Sequence, residues 1–330
     1  RSFVGCFLLI VVLSCLTEAQ QKGETKSRVI YGEDGRKDTY ELETFDIALG
    51  RSTVLVLQGF NILTENNDGT FTATATQTAE NLWNFCPSEP FAKQPILSRA
   101  STFCSGFLIT SQWIGTAAHC SLANPSDYLI IFGFELTSSS TTRLTFSASS
   151  VYKVDKIIAV GTPTGDKNDY GILQLDREVH GYKPYSKINR QLSVDDPLIL
   201  VGHPTGLPKK TDKGGKATFV GPLIIRATVD SYGGNSGSPI FDSNGLLAGI
   251  LAGGSTDFTD SHSCEASNFC PGGKGCEQLG EYIVPICVLI TSSEDVNAEI
   301  GIDCAVEESS TIFTYNLDSF LYTSDSSLTI

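Results

Sequence analysis

The feature that most restricts the fold of this chain is its texture from about residue 50 onward. Short β-type runs at 52–57, 71–78, 103–109, 128–134, 151–160 and 170–175 are cut by Gly, Asn, Asp and Ser. A second series follows at 197–201, 217–225, 239–241 and 246–251. Between the last two stands Asp242-Ser243-Asn244-Gly245, where Asn-Gly supplies the positive backbone angles of a tight hairpin. No convincing amphipathic helical period interrupts the series. Many short strands with turn signals between them predict an all-β sandwich or barrel. The polar stretch 176–187 reads as a linker between two β units, and no internal repeat is found.

Composition narrows the function classes. Hydrophobic residues make up 41% and charged ones 18%, a balance that can bury a core and excludes a wholly disordered chain. Lys and Arg total 23 against 37 Asp and Glu, a formal net charge of -14, with no dense basic cluster. Nucleic acid is therefore not an expected partner. Residues 3–16 are apolar and are followed by Thr17-Glu18-Ala19, the pattern of a signal-peptide core and cleavage site. A signal peptide over 1–19, a polar N-terminal segment over 20–45 that is propeptide to about 28, and secretion to the extracellular space are the expectations. The chain opens on Arg1 and contains no Met, so the natural start is expected upstream. Pro285 interrupts the longest later apolar run, and no membrane partner is expected after signal removal.

Ten cysteines include Cys6 and Cys15 in the leader. The remaining eight suit disulfides in an oxidising compartment. Cys264, Cys270 and Cys276 with His262 could be imagined as a zinc site, but they lack the paired ligand spacing such sites show. No metal and no cofactor are expected. There is no Asn-x-Ser/Thr acceptor for N-glycosylation. Residues 293–330 form an acidic, Ser/Thr-rich C-terminal extension with no evident place in the main fold.

Three segments carry chemistry together. Thr116-Ala117-Ala118-His119-Cys120 presents a histidine after an apolar run. Asp169-Tyr170-Gly171-Ile172-Leu173 presents an acid at the head of an apolar strand. Gly233-Gly234-Asn235-Ser236-Gly237-Ser238-Pro239 presents a serine inside a glycine-rich turn. A hydroxyl nucleophile needs a base, and the base needs a carboxylate to fix its tautomer and stabilise the imidazolium. Glycines beside the serine let main-chain N–H groups reach a developing oxyanion. Each piece alone is weak, since a lone His is commonly structural and Gly-Asn-Ser-Gly is commonly just a turn. In the order His, Asp, Ser on an all-β pattern they reproduce a known triad order. Cys104 precedes Cys120 by sixteen residues, and a bridge there would pin the histidine loop to the preceding strand.

The segments FCSGFLI, TAAHC, DYGILQL and GGNSGSP resemble the chymotrypsin-like (trypsin-fold) serine peptidases. The form GNSGSP is similar to the branch that includes the V8-type glutamyl endopeptidases, as are VIYGEDGRKD and VGHPTGLPKK. This resemblance covers roughly residues 29–290. It implies two packed six-stranded antiparallel barrels within 46–292, about 46–175 and 188–292, with the active site in the cleft between them. It also implies His119 as base, Asp169 as orienting acid, Ser236 as nucleophile, and the amides of Gly234 and Ser236 as the oxyanion hole. A Cys104–Cys120 disulfide is expected, while the pairing of Cys86, Cys264, Cys270, Cys276, Cys287 and Cys304 stays open. Two departures stand out. Asn235 occupies the place of the acid that captures a new N-terminus in the animal digestive enzymes, although Lys26-Ser27-Arg28 looks like a processing site. The glutamyl endopeptidases carry a substrate-binding histidine on the strand after the serine, and the corresponding stretch here, Gly249-Ile250-Leu251-Ala252-Gly253-Gly254, has none.

The expected function is that of a secreted, monomeric serine endopeptidase acting on polypeptides. Asp230 lies six residues before Ser236, the spacing of an acid at the floor of the pocket for substrate Arg or Lys. The alternative is that Asp230 caps a turn. With Asp230, the stretch Leu251, Ala252, Gly253 and Gly254 would line that pocket and predict cleavage after Arg or Lys, with small or apolar residues as runner-up. His203 in a His-Pro turn reads as structural. A catalytically inactive binding or adhesion module on the same fold is the rival function. An esterase of the α/β-hydrolase type is disfavoured, because it needs alternating helices and another triad order.

Overall fold

Six antiparallel strands close on themselves in the first half of the chain. They are β1 (Thr53–Gln58), β2 (Phe103–Leu108), β3 (Trp113–Thr116), β4 (Tyr128–Phe132), β5 (Val151–Val160) and β6 (Gly171–Leu175). Their order round the barrel is β4-β5-β6-β3-β2-β1, and β1 pairs back with β4. The structure, a computed structural model, describes residues 30–59, 62–73, 77–97, 103–121, 123–162, 168–260, 263–270 and 280–304. The expected leader, the Lys26-Ser27-Arg28 site, His262, Cys276 and residues 305–330 lie outside these.

The second barrel uses β7 (Pro197–Gly202), β8 (Lys210–Val220), β9 (Ile225–Ala227), β10 (Pro239–Asp242), β11 (Leu247–Gly253) and β12 (Glu281–Pro285). Its order is β7-β10-β11-β12-β9-β8, closed by pairing of β7 with β8. The two six-stranded antiparallel barrels implied by the motifs are thus present. Strand periodicity shows how two barrels share one chain. In β7, Leu198 and Leu200 point into the second barrel's core, while Ile199 and Val201 point into a separate apolar layer with Phe107, Ile172, Phe241 and Ile250. Because both faces of such a strand are covered, its sequence reads as one unbroken apolar run.

Three local readings are corrected. The run at 217–225 is two strands of a hairpin: β8 ends at Val220, and the amide of Gly221 donates to the Ile224 carbonyl at 2.9 Å. Pro222 could not have continued an interior strand. The stretch 176–187 is packed, with the amides of Val179 and Tyr185 donating to the carbonyls of Ser111 and Leu108. The ring of Tyr182 stacks on Phe132 at 4.3 Å. Finally, the chain beyond 292 does not leave the fold at once. Helices α1 (Ile286–Ile290) and α2 (Glu294–Ile300) bury Leu289, Ile290 and Val296 in the layer between the barrels. A Cys287–Cys304 disulfide closes this corner. Ser293 caps α2, its hydroxyl accepting from the amide of Val296.

The Asn-Gly hairpin forms as its residues dictate. Asp242 Oδ1 accepts from the amides of Asn244 and Leu246 at 2.9 and 2.8 Å, and the Gly245 amide donates to the Asp242 carbonyl. Among the described residues no helix is long and apolar enough to cross a membrane.

Candidate active site

His119 sits in a single 3-10 turn, Ala118–Cys120, leaving β3. Ala117 and Ala118 before it are fully buried, so the turn is held from beneath while the imidazole stays 43% exposed. Cys120 is bridged to Cys104 on β2, with Cα atoms 6.1 Å apart. Asp169, just ahead of β6, makes two bonds to the same residue. Its Oδ2 lies 2.7 Å from His119 Nδ1, and its Oδ1 accepts from the His119 amide at 3.0 Å. One carboxylate therefore fixes both the ring and the backbone of His119, leaving Nε2 free to exchange a proton.

The serine turn comes from the second barrel and is fastened to the first. The Ser236 carbonyl accepts from the Ser105 amide at 2.8 Å and lies 3.8 Å from Cys120 Sγ. Ser105, fully buried on β2, is a hub. Its hydroxyl donates to the Gly234 carbonyl at 2.9 Å and accepts from the His203 amide at 2.8 Å, and its carbonyl accepts from Thr116 Oγ1. Gly237 has φ of +86°, and a Cβ there would strike the Ser105 carbonyl and Thr116 Oγ1. No hydrogen bond joins Ser236 Oγ to His119 among the described residues. Such bonds are commonly long in the absence of substrate.

Around Ser236 the amides of Gly233, Asn235, Gly237 and Ser238 are all spent. They donate to Asp257 Oδ2, the Tyr232 carbonyl, the Leu251 carbonyl and the Asn235 carbonyl respectively. Among the described residues the amides of Gly234 and Ser236 have no acceptor, which leaves two donors for a bound oxyanion.

Several expected pocket residues stand elsewhere. Asp230 is 3% exposed, and its two carboxylate oxygens accept the amides of Tyr31 and Gly35 at 2.7 and 2.8 Å. It clamps the N-terminal segment instead of standing open at a pocket floor, a long-range contact no local pattern could show. That segment pairs in parallel with Phe269–Cys270 and, through Lys37–Asp38, with β8. Burial, and then the neighbouring charge of Asp212, push the Asp230 carboxyl well above the usual carboxylate range. Leu251 points into the second barrel's core, not into a pocket. Ala252 is also buried, whereas Gly253 faces open space. Asn235 is buried and uncharged where an ammonium group would need a carboxylate.

Sequence reading missed two groups. Ser105 could have been noticed as a hydroxyl inside a buried strand run. Glu281, at the start of β12, lies against Gly254 so closely that any side chain there would collide with it. Its carboxylate accepts from Ser231 Oγ at 2.7 Å and Tyr31 Oη at 3.4 Å. Burial pushes its pKa up to about 8.

Other titratable groups have structural places. His203 is fully buried, stacks on Phe134, and has Nδ1 3.1 Å from the Leu207 carbonyl. Burial lowers its pKa to about 3, so it stays neutral. Cys264 is bridged to Cys86, and Cys270 is also disulfide-bonded, so neither offers a thiolate to a metal. Cys104 and Cys120, close to His119, are likewise spent in their bridge.

Two six-stranded antiparallel barrels, with a His–Asp pair on the first and a serine turn on the second, define the chymotrypsin fold class. Residues 104–250 match the trypsin-like peptidase domain family. A glutamyl endopeptidase of Bacillus licheniformis is 28% identical over 149 residues, which is 42% of this chain and 45% of that protein. One from Staphylococcus epidermidis is 28% identical over 101 residues, 28% of this chain and 36% of that protein. The chain is thus a chymotrypsin-fold relative of the V8-type serine peptidases, and it spans less than half the length of these relatives. A solved structure described as a Glu endopeptidase in complex with MPD aligns with a TM-score of 0.44 at 15% identity, covering 74% of this chain and 94% of that one.

Proposed function

We propose that this chain is a secreted serine endopeptidase working by acyl transfer on polypeptides. The observation that carries the reading is the pair of hydrogen bonds from His119 to Asp169, set against a serine turn whose Gly234 and Ser236 amides have no acceptor among the described residues. Ser236 Oγ attacks the scissile carbonyl while His119 Nε2 takes its proton. The carbonyl oxygen becomes an oxyanion between the amides of Gly234 and Ser236. His119 then gives the proton to the leaving amine, and a water repeats the sequence to free the acyl group. Asp169 offsets the imidazolium charge throughout. Secretion is supported by the leader pattern and by the disulfides.

Cleavage after Arg or Lys is part of the proposal, with Glu281 as the acid that meets the substrate cation. Ser231 and Gly254 place it beside the serine turn, and its ionisation would be favoured by an arriving cation. The relatives named glutamyl endopeptidases suggest a second reading, cleavage after Glu. The hydroxyls of Ser231 and Tyr31, which already hold one carboxylate, favour it. The test is fluorophosphonate labelling of the mature protein, followed by kcat/KM for matched P1-Arg, P1-Glu and P1-Leu substrates. Wild type, Asp230→Ser and Glu281→Gln are compared. Labelling confined to Ser236, with an Arg preference lost in Glu281→Gln, is expected. An unlabelled Ser236 would favour an inactive binding module, and a Glu preference would overturn the basic-P1 reading.

A further inference from the structure

We propose that the cavity beside Arg36 binds an uncharged sugar ring, holding hydroxyls of one edge by hydrogen bonds and the C–H face by apolar contact. None of the residues used in the proposed hydrolysis lines it, so the inference stands apart from the peptidase reading. The cavity has a volume of about 500 Å³. It lies where the N-terminal segment, the stretch 90–95 and the turn at Ser139 and Ser140 meet. That volume lies in the range of small-ligand sites.

The wall carries a buried donor with nothing to donate to. The Arg36 side chain is 1% exposed. Its Nε and Nη2 donate to the two carboxylate oxygens of Asp34 at 2.8 and 2.7 Å, and Nη2 also donates to Tyr232 Oη at 2.6 Å. Nη1 has no acceptor among the described residues. A buried donor in that state is costly, and a ligand oxygen would offset the cost. The guanidinium is held in place, 3.8 Å from the Tyr232 ring centre and 5.1 Å from that of Phe91. Beside it, Asp34 Oδ1 accepts two bonds from Arg36, while Oδ2 accepts one and keeps a lone pair. A donor and an acceptor side by side suit the hydroxyls on neighbouring carbons of a sugar, each of which both donates and accepts.

The charges of the wall argue against an ionic ligand. Asp34 pairs with Arg36, Asp38 with Lys210 and Lys93 with Glu80. Gln94 completes the second pair, its amide donating to Asp38 Oδ2 at 2.7 Å and its side-chain oxygen accepting from Lys210 Nζ at 2.6 Å. Glu41 alone among the charged lining residues has no ionic partner among the described residues, and it is exposed, one oxygen accepting the Asp38 amide at 2.8 Å. The buried charges thus leave no net positive centre for a phosphate or carboxylate and no unpaired acid for a cation. The rest of the wall suits a ring. Phe91 and Leu136 are buried, and Tyr40 is 41% exposed. Apolar and aromatic surface of this kind covers the C–H face of a sugar while its hydroxyl edge meets the polar side.

The experiment titrates the mature protein with the methyl glycosides of glucose, galactose and mannose, followed by saturation-transfer NMR and calorimetry. Glucuronic acid, glucosamine and a Gly-Ser tetrapeptide serve as anionic, cationic and peptide comparisons. At least one neutral glycoside is expected to bind one site with a Kd on the order of 1 mM, and each comparison compound at least about tenfold more weakly. Tyr40→Ala, which removes the exposed ring, and Ser140→Trp, which obstructs the cavity from an exposed turn, should each weaken that binding about tenfold without changing the melting temperature. Arg36→Lys keeps the charge and removes the unpartnered nitrogen, and should abolish binding if it folds. If it does not fold, the two surface variants decide. Absence of binding by all three glycosides, or equal binding of any comparison compound, would overturn the assignment. So would binding that survives both Tyr40→Ala and Ser140→Trp, since the ring would then sit elsewhere. None of these results bears on peptide hydrolysis, which is measured separately.

Discussion

At the residue scale, the proposed mechanism divides the work of one proton transfer among three side chains. Ser236→Ala is expected to leave a folded protein that neither hydrolyses peptides nor labels with a fluorophosphonate, and undiminished hydrolysis would remove Ser236 from the mechanism. Asp169→Asn should keep much of the geometry yet lower kcat by about 10⁴-fold, because an amide at this position favours the wrong imidazole tautomer. Ser105 acts through others. Ser105→Ala would strip partners from the Gly234 carbonyl and the His203 amide, both on the active-site side of the barrel interface. The expected cost is about 1–3 kcal/mol of stability, the scale for a buried polar group left unpaired. Thermal unfolding gives the stability term. Steady-state kinetics should show kcat falling more than KM rises, since the displaced group is the proposed oxyanion-hole turn.

At the element scale, the histidine turn and the serine turn are held by cross-links as well as by packing. Closing the Cys104–Cys120 loop is worth on the order of 3 kcal/mol in the chain-entropy model. The double variant Cys104→Ser/Cys120→Ser should lose stability of that order. It should also lose more activity than stability, because a misplaced base loses rate steeply. Acylation rates measured well below the melting temperature separate the two effects. Helices α1 and α2 show how an element can be read wrongly from composition alone. The chain after 292 looks acidic and Ser-rich, yet Val296 is 2% exposed in the apolar layer and Cys304 is tied to Cys287. Ending the chain at 292 should therefore lower the melting temperature measurably, while ending it at 304 keeps this corner intact.

At the scale of the whole molecule, buried acids set the pH dependence of stability. Burial raises Glu281 to about 8 and Asp257 and Asp212 to about 6, and burial with the neighbouring charge of Asp212 raises Asp230 above ordinary carboxylates. Each holds its proton more tightly folded than unfolded. The folded state therefore carries extra protons between about pH 4 and pH 8, and stability falls as pH rises through that window. His203 acts in the opposite sense, since its stabilising neutrality is lost as pH drops below about 6.5, the ordinary histidine value. Above that pH the acids act without its opposition. The melting temperature is expected to rise as pH is lowered from 8 to 6.5, and a flat or opposite trend in thermal unfolding would contradict this assignment of buried protons.

Much of the molecule was legible in one dimension. The His119, Asp169 and Ser236 motifs are local, because a triad member needs particular neighbours: buried alanines before the base, an acid at a strand head, glycines round the nucleophile. The alternation of turns and short apolar runs was likewise enough for an all-β chain with two units, since strand periodicity and turn chemistry are properties of adjacent residues. Contacts between distant segments were not legible. The partner of Asp230 is a backbone 195 to 199 residues away, so its carboxylate turned to the N-terminal segment against the reading its spacing suggested. Glu281 carries no local signature, and only the pairing of β12 with β11 brings it beside Gly254. Ser105, the cavity beside Arg36 and the Cys86–Cys264 bridge belong to the same group. Each depends on where closure of two barrels sets side chains from segments far apart in sequence, and that placement exists only once the chain has folded.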